Sequence, residues 1–505
     1  MMRSLANSRK TISILPFRLF SLQAPLGLER KKSLFRRIHW QFDKKARSLI
    51  AFAVIVVVLI SCFALLYRPA GGKSDVVIVP KNNSTATPSP SPQDRGPTTS
   101  GPTASAYPTP TQSSQETAYK SKPPGLIESA KTINSTIWKE VAANAWAYFQ
   151  PGVGVDINTG LPYGSGTSFT FFTDWDLGQY IQAVIDAQEI GLINATGAWG
   201  STARLDKVLW FLENRPLNAT THYPFWFYDA TTGQDDHAES DLATVPVDII
   251  DTGALFVALN NLINFNATLT AQVDNIVLNE TGNPNGGVNY TALLPVIEDC
   301  ASSNSIYVYL VASGFASFWP LQVGNVPNEI LNNIVNSPTI TSPYGNVTLP
   351  DSPITCDPLL LSVFELNNND SRLMGLMNQV YLAHEAYYNV TGNYVAFNEG
   401  NSIDNGYVYE WVVAPNGTTW QISNEAQTIY YSNMPPIVYN DVAFSFLALY
   451  NNTYARNTVI FLEELLPSPT NGYDAGADNF AETLKIVGLA TNGLILEAAL
   501  YAIKK

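Results

Sequence analysis

One run of twenty residues divides the chain before any fold can be assigned to it. The run, "SLIAFAVIVVVLISCFALLY" at 48–67, carries no charged side chain. At about 1.5 Å per helical residue it spans roughly 30 Å, the thickness of the hydrocarbon core of a bilayer. In hydrocarbon a helix satisfies its own backbone, so the run is expected to be one transmembrane helix in contact with the lipid bilayer. It starts too late and extends too far for a signal peptide. Residues 1–47 hold twelve Lys/Arg against Glu29 and Asp43, a net +10; the whole chain is −14, so the remainder is −24. Basic residues before the span predict a cytoplasmic N-terminus, with 68–505 outside the cell membrane. A polyanionic external part is unsuited to nucleic acid, whose phosphates need Lys and Arg.

Residues 68–125 are rich in Pro, Ser and Thr, as in "TATPSPSPQDRGPTTSGPTASAYPTPTQSSQ". Such a tract buries too little apolar surface to fold and predicts a disordered stalk. The globular part is 126–505. Eleven N-x-Ser/Thr sequons fall in it, at Asn134, Asn194, Asn218, Asn266, Asn279, Asn289, Asn346, Asn369, Asn389, Asn416 and Asn451. Outside a membrane anchor they predict a glycoprotein surface. Beyond the span only Cys300 and Cys356 remain, and an external location suggests a disulfide between them; two separate buried thiols are the other reading.

Periodicity within 126–505 is mainly helical. In "DLGQYIQAVIDAQEIGLI", Leu177, Tyr180, Ile181, Val184 and Ile185 share one helical face. Thr173 and Asp176 have the spacing of a capping box. Further helices are expected near 128–149, 203–213, 248–264, 302–318, 371–388, 437–450 and 482–502. The connections "YPFWFYDATTGQ" and "NYVAFNEGN…GYVYEWVVAPNGTTWQI" alternate like short strands, the second with a turn at "APNG". Paired helices with elaborate loops predict a helical toroid with small β-hairpins in its loops.

The chemistry must come from carboxylates among aromatics. There is no phosphate-binding Gly-rich loop and no nucleophile elbow. His222, His237 and His384 lack zinc spacing, and "DDHAESD" (Asp235, Asp236, Glu239, Asp241) lacks the glycine of a calcium loop. No metal or cofactor is therefore expected. Glycosidic cleavage needs one carboxylic acid and one carboxylate, and sugar faces stack on aromatic rings. Glu399 in "FNEGN", Glu410 in "YVYEWV" and Asp441 in "VYNDVAF" are the candidate catalytic groups. Trp175, Asp176, Trp226, Asp251, Tyr409 and Trp411 are the candidate substrate contacts. Each carboxylate has a structural alternative: Asp174 and Asp176 can cap a helix, and Asp251 and Glu497 can tie down loops. Strand alternation puts Glu410 on the face opposite Tyr409 and Trp411, beside Val408 and Val412.

The order of "AWAYF…TGLPYG", "TDWDLGQYIQAVIDAQEIGLI", "RLDKVLWFLENRPL…YPFWFYDATTG", "VDIIDTGALFVALNNL" and "AFSFLALYNNTYARN…NGYDAGADN…LATNGLILEAALY" resembles the prokaryotic domain-of-unknown-function 3131 family over most of 135–502. That family is similar to glucoamylase-like (α/α)6 toroids, including enzymes acting on β-1,2-glucans. The resemblance implies the toroid and a glycan-acting, glycoside-hydrolase-like protein with a polysaccharide or glycan as partner. The alternative is a non-catalytic envelope protein that binds glycan or partners. Low charge, dense sequons and Ala254, at a place where related helices carry a basic residue, favour that alternative.

Overall fold

The computed structural model describes residues 123–218, 222–235, 249–278, 288–366, 369–403 and 405–505. The expected cytoplasmic segment, membrane span and stalk lie outside these, as do Asp236, His237, Glu239, Asp241 and Asn279. Among the described residues, no helix is long and apolar enough to cross a membrane.

Fourteen helices are named here: α1 Leu126–Ser129, α2 Ser135–Trp146, α3 Asp174–Ile190, α4 Ser201–Asn214, α5 Ile249–Phe265, α6 Thr270–Val277, α7 Leu294–Asp299, α8 Ile306–Phe318, α9 Val326–Val335, α10 Cys356–Phe364, α11 Ser371–Thr391, α12 Asn440–Tyr450, α13 Thr453–Leu465 and α14 Leu489–Lys504. Six of them form a closed inner ring. α3 packs on α5, α5 on α8, α8 on α10, α10 on α12, α12 on α14, and α14 returns to α3. The others lie outside: α1 against α13, α2 against α14 and α3, α4 against α3, α6 against α5, α7 and α9 against α8, α11 against α10, and α13 against α12.

The sequence explains which helix goes where. An inner helix has neighbours on both sides and must be apolar nearly all round. In α5 every residue from Thr252 to Leu259 is buried, and in α12 every residue from Asn440 to Leu449. An outer helix needs one stripe, and α13 buries Tyr454, Ala455, Thr458, Val459 and Leu462.

Glycines let the inner helices touch backbone to backbone. A Cβ on Gly253 of α5 would sit 2.7 Å from the Val311 Cα of α8, and one on Gly178 of α3 would sit 3.2 Å from the Leu255 Cα of α5. Gly493 of α14 likewise meets Gln179 of α3. Each contact joins positions near the start of both helices. Their first turns therefore open on one mouth of the ring.

Four small sheets decorate the loops. β1 Phe171–Phe172, β2 Tyr228–Asp229 and β3 Gln234–Asp235 form the first, and β4 Thr339–Thr341 pairs with β5 Thr348–Pro350. β6 Glu399–Asn401, β7 Tyr407–Val413 and β8 Thr419–Asn424 form an antiparallel meander, with the expected turn at 414–417 closed by Gly417 N–H on Ala414 O. β9 Ile437–Tyr439, β10 Asp474–Asp478 and β11 Thr483–Val487 make the last. The expected helix over 482–502 thus begins only at Leu489, because 483–487 pairs with β10.

The suggested disulfide is not formed. Cys300 and Cys356 are free, buried thiols, one just after α7 and the other at the first turn of α10. Burial pushes the Cys300 thiol up to about 11 and that of Cys356 well above its ordinary value, where nearby Asp441, Asp357 and Glu410 add to the effect. Both behave as small apolar side chains. None of the described sequon asparagines is buried. At Asn134 the side-chain oxygen caps α2.

Candidate functional site

The common mouth gathers the first turns of the inner helices. These bring Trp175 and Asp176 from α3, Asp251 from α5, Tyr307 from α8, Asp357 from α10 and Asp441 from α12. The β6–β7 hairpin adds Glu399 and Tyr409, which are cross-strand partners and so share a face.

Glu399 is the centre of this group. The Tyr307 hydroxyl donates to its Oε2, and Tyr409 adds a second side-chain hydrogen bond. The carboxyl is half-buried, and desolvation lifts it to about 7 even though both tyrosines favour its charged form. An aromatic wall surrounds it. The Tyr307 ring lies 6.4 Å from Trp175, from Tyr409 and from Trp411, and Tyr409 stacks on Trp411 at 5.3 Å.

Asp357, like Tyr307, is a residue that sequence reasoning missed. It is 3% exposed at the mouth's floor, and burial raises it well above the usual carboxylate range. The charges of Glu399, Asp441, Glu365 and Asp176 push it further in the same direction. Its only sequence signal was the apolar run "TCDPLLLSVF" after a polar loop, which is too short to show helical period.

The other expected residues divide into mouth and support. Asp176 is half-buried, closes the capping box with Thr173 (2.9 and 3.3 Å), and is raised by burial to about 6. Asp251 accepts from Trp226 Nε1 at 3.1 Å, which places that half-buried ring at the same mouth. Asp441 is 3% exposed, accepts from Val442 N–H at 2.7 Å and from Asn398 Nδ2 at 3.4 Å, and is lifted by burial to about 7.

Glu410 does not reach the mouth. Strand alternation turns it to the other face, where it is wholly buried and its Oε1 accepts from Ile437 N–H at 2.8 Å. Its Oε2 has no hydrogen-bond partner, and burial holds the carboxyl well above its normal range. A neutral acid that ties β7 to β9 fits this setting better than the expected catalytic role. Trp411 is 1% exposed and gives its Nε1 proton to Ser423 Oγ at 3.0 Å. It backs Tyr409 instead of presenting a face to sugar. Among the described residues, no three His, Cys, Asp or Glu side chains converge as a metal site.

The approach to α3 is fixed by a buried ion pair. Arg215 meets Asp174 at 2.5 and 3.3 Å and also donates to the Tyr290 hydroxyl at 2.9 Å. Both charged side chains are essentially unexposed.

Comparison with known proteins completes the description. The model of a family described as protein of unknown function, DUF3131, matches residues 140–505. No curated protein matches the chain. Among solved structures, an endo-β-1,2-glucanase from Chitinophaga pinensis, complexed with sophorotriose and glucose, is 13% identical, with a TM-score of 0.50 over 74% of this chain and 95% of that one. A candidate glucoamylase from Bacteroides caccae is 14% identical, with a TM-score of 0.49 over 74% and 95%. An endo-β-1,2-glucanase from Talaromyces funiculosus with sophorose is 12% identical, with a TM-score of 0.48 over 73% and 85%. At these identities the likeness is one of fold: a glucoamylase-like helical toroid.

Proposed function

The chain belongs to the DUF3131 family of unknown function, and on that footing we propose that it is a glycan-acting enzyme of glycoside-hydrolase type, held outside the cell membrane by residues 48–67. The observation that carries this reading is Glu399, a half-buried carboxyl at about 7, bonded to two tyrosines in an aromatic mouth, with Asp357 beside it. Tyr307 and Tyr409 favour the carboxylate form of Glu399. Once ionised, Glu399 raises Asp357 and keeps its proton in place. The pair then holds one carboxylate and one carboxylic acid, the complement that glycosidic cleavage requires. In this reading Glu399 acts as base or nucleophile, Asp357 supplies the proton, and Trp175 and Tyr409 face the sugar.

The charge of the mouth narrows the substrate class. No Lys or Arg appears among the main influences on Asp176, Glu399, Asp357 or Asp441, and buried Arg215 is committed to Asp174. Among the described residues, a sulfated, phosphorylated or uronic-acid glycan would meet the like charge of Asp176, Glu399, Asp357 and Asp441, so the reading is of an uncharged glycan. The Chitinophaga pinensis protein of similar fold is an endo-β-1,2-glucanase, which makes a β-1,2-glucan the first candidate to try.

A glycan-binding mouth without turnover is the second reading. It is favoured by the commitment of Asp176 to a helix cap and of Asp251 to Trp226. Glu399→Gln separates the two. It keeps the shape and should lower hydrolysis of neutral glucans by at least ~10²-fold if the carboxyl reacts. Hydrolysis that is undiminished in the variant rejects the catalytic assignment, and binding without hydrolysis in the parent selects the second reading.

A further inference from the structure

We propose that His384, on outer helix α11, is a positioning residue for the mouth: its ring fixes the Phe397–Glu399 segment from which the carboxyl cluster is hung. His384 is wholly buried. Its Nδ1 lies 2.8 Å from the Val380 carbonyl oxygen, one helical turn back. A carbonyl can only accept, so Nδ1 carries the proton. Nε2 of the neutral ring is then an acceptor, and it takes the Phe397 backbone N–H at 3.1 Å. Rings of Phe446, Trp420 and Phe397 pack around the imidazole, with centroids at 5.0, 5.2 and 6.3 Å. Burial depresses the ring to about 4, which keeps the acceptor lone pair available across the neutral range.

What this bond holds is the stretch that orders three carboxyls. Asn398 follows Phe397; its carbonyl accepts Glu410 N–H at 2.8 Å and its side chain donates to Asp441 at 3.4 Å. Glu399 is next and projects between Tyr307 and Tyr409. One imidazole nitrogen thus joins the outer helix layer to the backbone that aims Glu399. A core histidine with no such duty would be replaceable by any side chain of similar volume, whereas this one must present an acceptor at the Nε2 position.

The inference rests on Glu399 being the working group, and its test does not need turnover. The carboxyl of Glu399 in the full-length protein is followed by infrared titration, its band identified by subtraction of Glu399→Gln. The parent should titrate near pH 7, as the burial of Glu399 implies. His384→Leu removes the acceptor and should move the midpoint down by at least ~1 pH unit as the segment loosens and water reaches the carboxyl. His384→Gln, whose amide oxygen reaches about as far as Nε2, should restore it. If His384→Leu does not fold, His384→Asn takes its place, because its shorter amide cannot reach Phe397. Where a glycan is turned over, the same loss should lower kcat roughly 10-fold with KM nearly unchanged. An unchanged Glu399 midpoint in the Leu or Asn variant overturns the proposal, and so does failure of Gln to restore a shifted one. Absence of turnover in the parent speaks only against the enzyme reading.

Discussion

Raising the pH from about 5.5 to about 7.5 should destabilise the toroid, because its buried carboxyls hold their protons, Asp186, Glu365 and Glu497 of the interior among them. Asp186, Glu365 and Glu497 are 1%, 4% and 4% exposed. Burial lifts Asp186 to about 7 and Glu365 to about 8, and Glu497 lies well above its ordinary range. Asp186 has one donor, Gln182 Nε2 at 2.7 Å, while Glu497 has the Glu365 and Asp186 carboxyls as neighbours, whose charges favour its protonated form. In the unfolded chain all three ionise in the ordinary carboxylate range. Across this window the folded state therefore binds more protons than the unfolded one, and stability falls as pH rises. Each group that keeps its proton loses about 1.4 kcal/mol per pH unit. Glu365 and Glu497 alone would give about 5–6 kcal/mol over two units, and water entering the interior lowers the expected loss to about 2–3 kcal/mol. Urea unfolding followed by tryptophan fluorescence at the two pH values measures it. Glu365→Gln, which cannot ionise, should be relatively more stable at pH 7.5 and show a shallower pH slope. Stability that is flat or rises between the two pH values would refute the reasoning.

Two further outcomes follow from buried contacts. Arg215→Ala leaves Asp174 charged and unpaired in the interior and should cost about 3–5 kcal/mol of unfolding free energy; a loss below about 1 kcal/mol would mean that the pair is open to water. Because Cys300 and Cys356 are free, denatured protein without reductant should titrate with three thiols, counting Cys62, and reductant should leave the melting temperature unchanged.

The parts of the site that could be read from sequence are those set by local rules. The Thr173–Asp176 capping box formed as its spacing implies, and alternation along 407–413 separates Glu410 from Tyr409 and Trp411. Both depend on residues within a turn or a strand of one another. Asp357 and Tyr307 depend on ring closure. Nothing near Asp357 in the chain indicates that α10 starts at the same mouth as α3 and α12, because helix packing between segments distant in the chain brings them together. The cysteines failed for the same reason: being the only two beyond the span says nothing about where α7 ends relative to the start of α10. Glu410 shows the opposite case. Its hydrophobic face was legible, and that face proved to be buried protein rather than a substrate cleft.

Glu399 is proposed to act as base or nucleophile on a glycan at the mouth of the ring. The pH dependence of kcat/KM on a neutral glucan tests it most directly, since that profile reports the free enzyme's essential groups. With Glu399 acting as the carboxylate, kcat/KM should rise through an apparent pKa near 7, the value burial imposes on this group, and Glu399→Gln should abolish both the limb and the activity. A Glu399→Gln variant that keeps the parent's rate and the same limb would contradict the account.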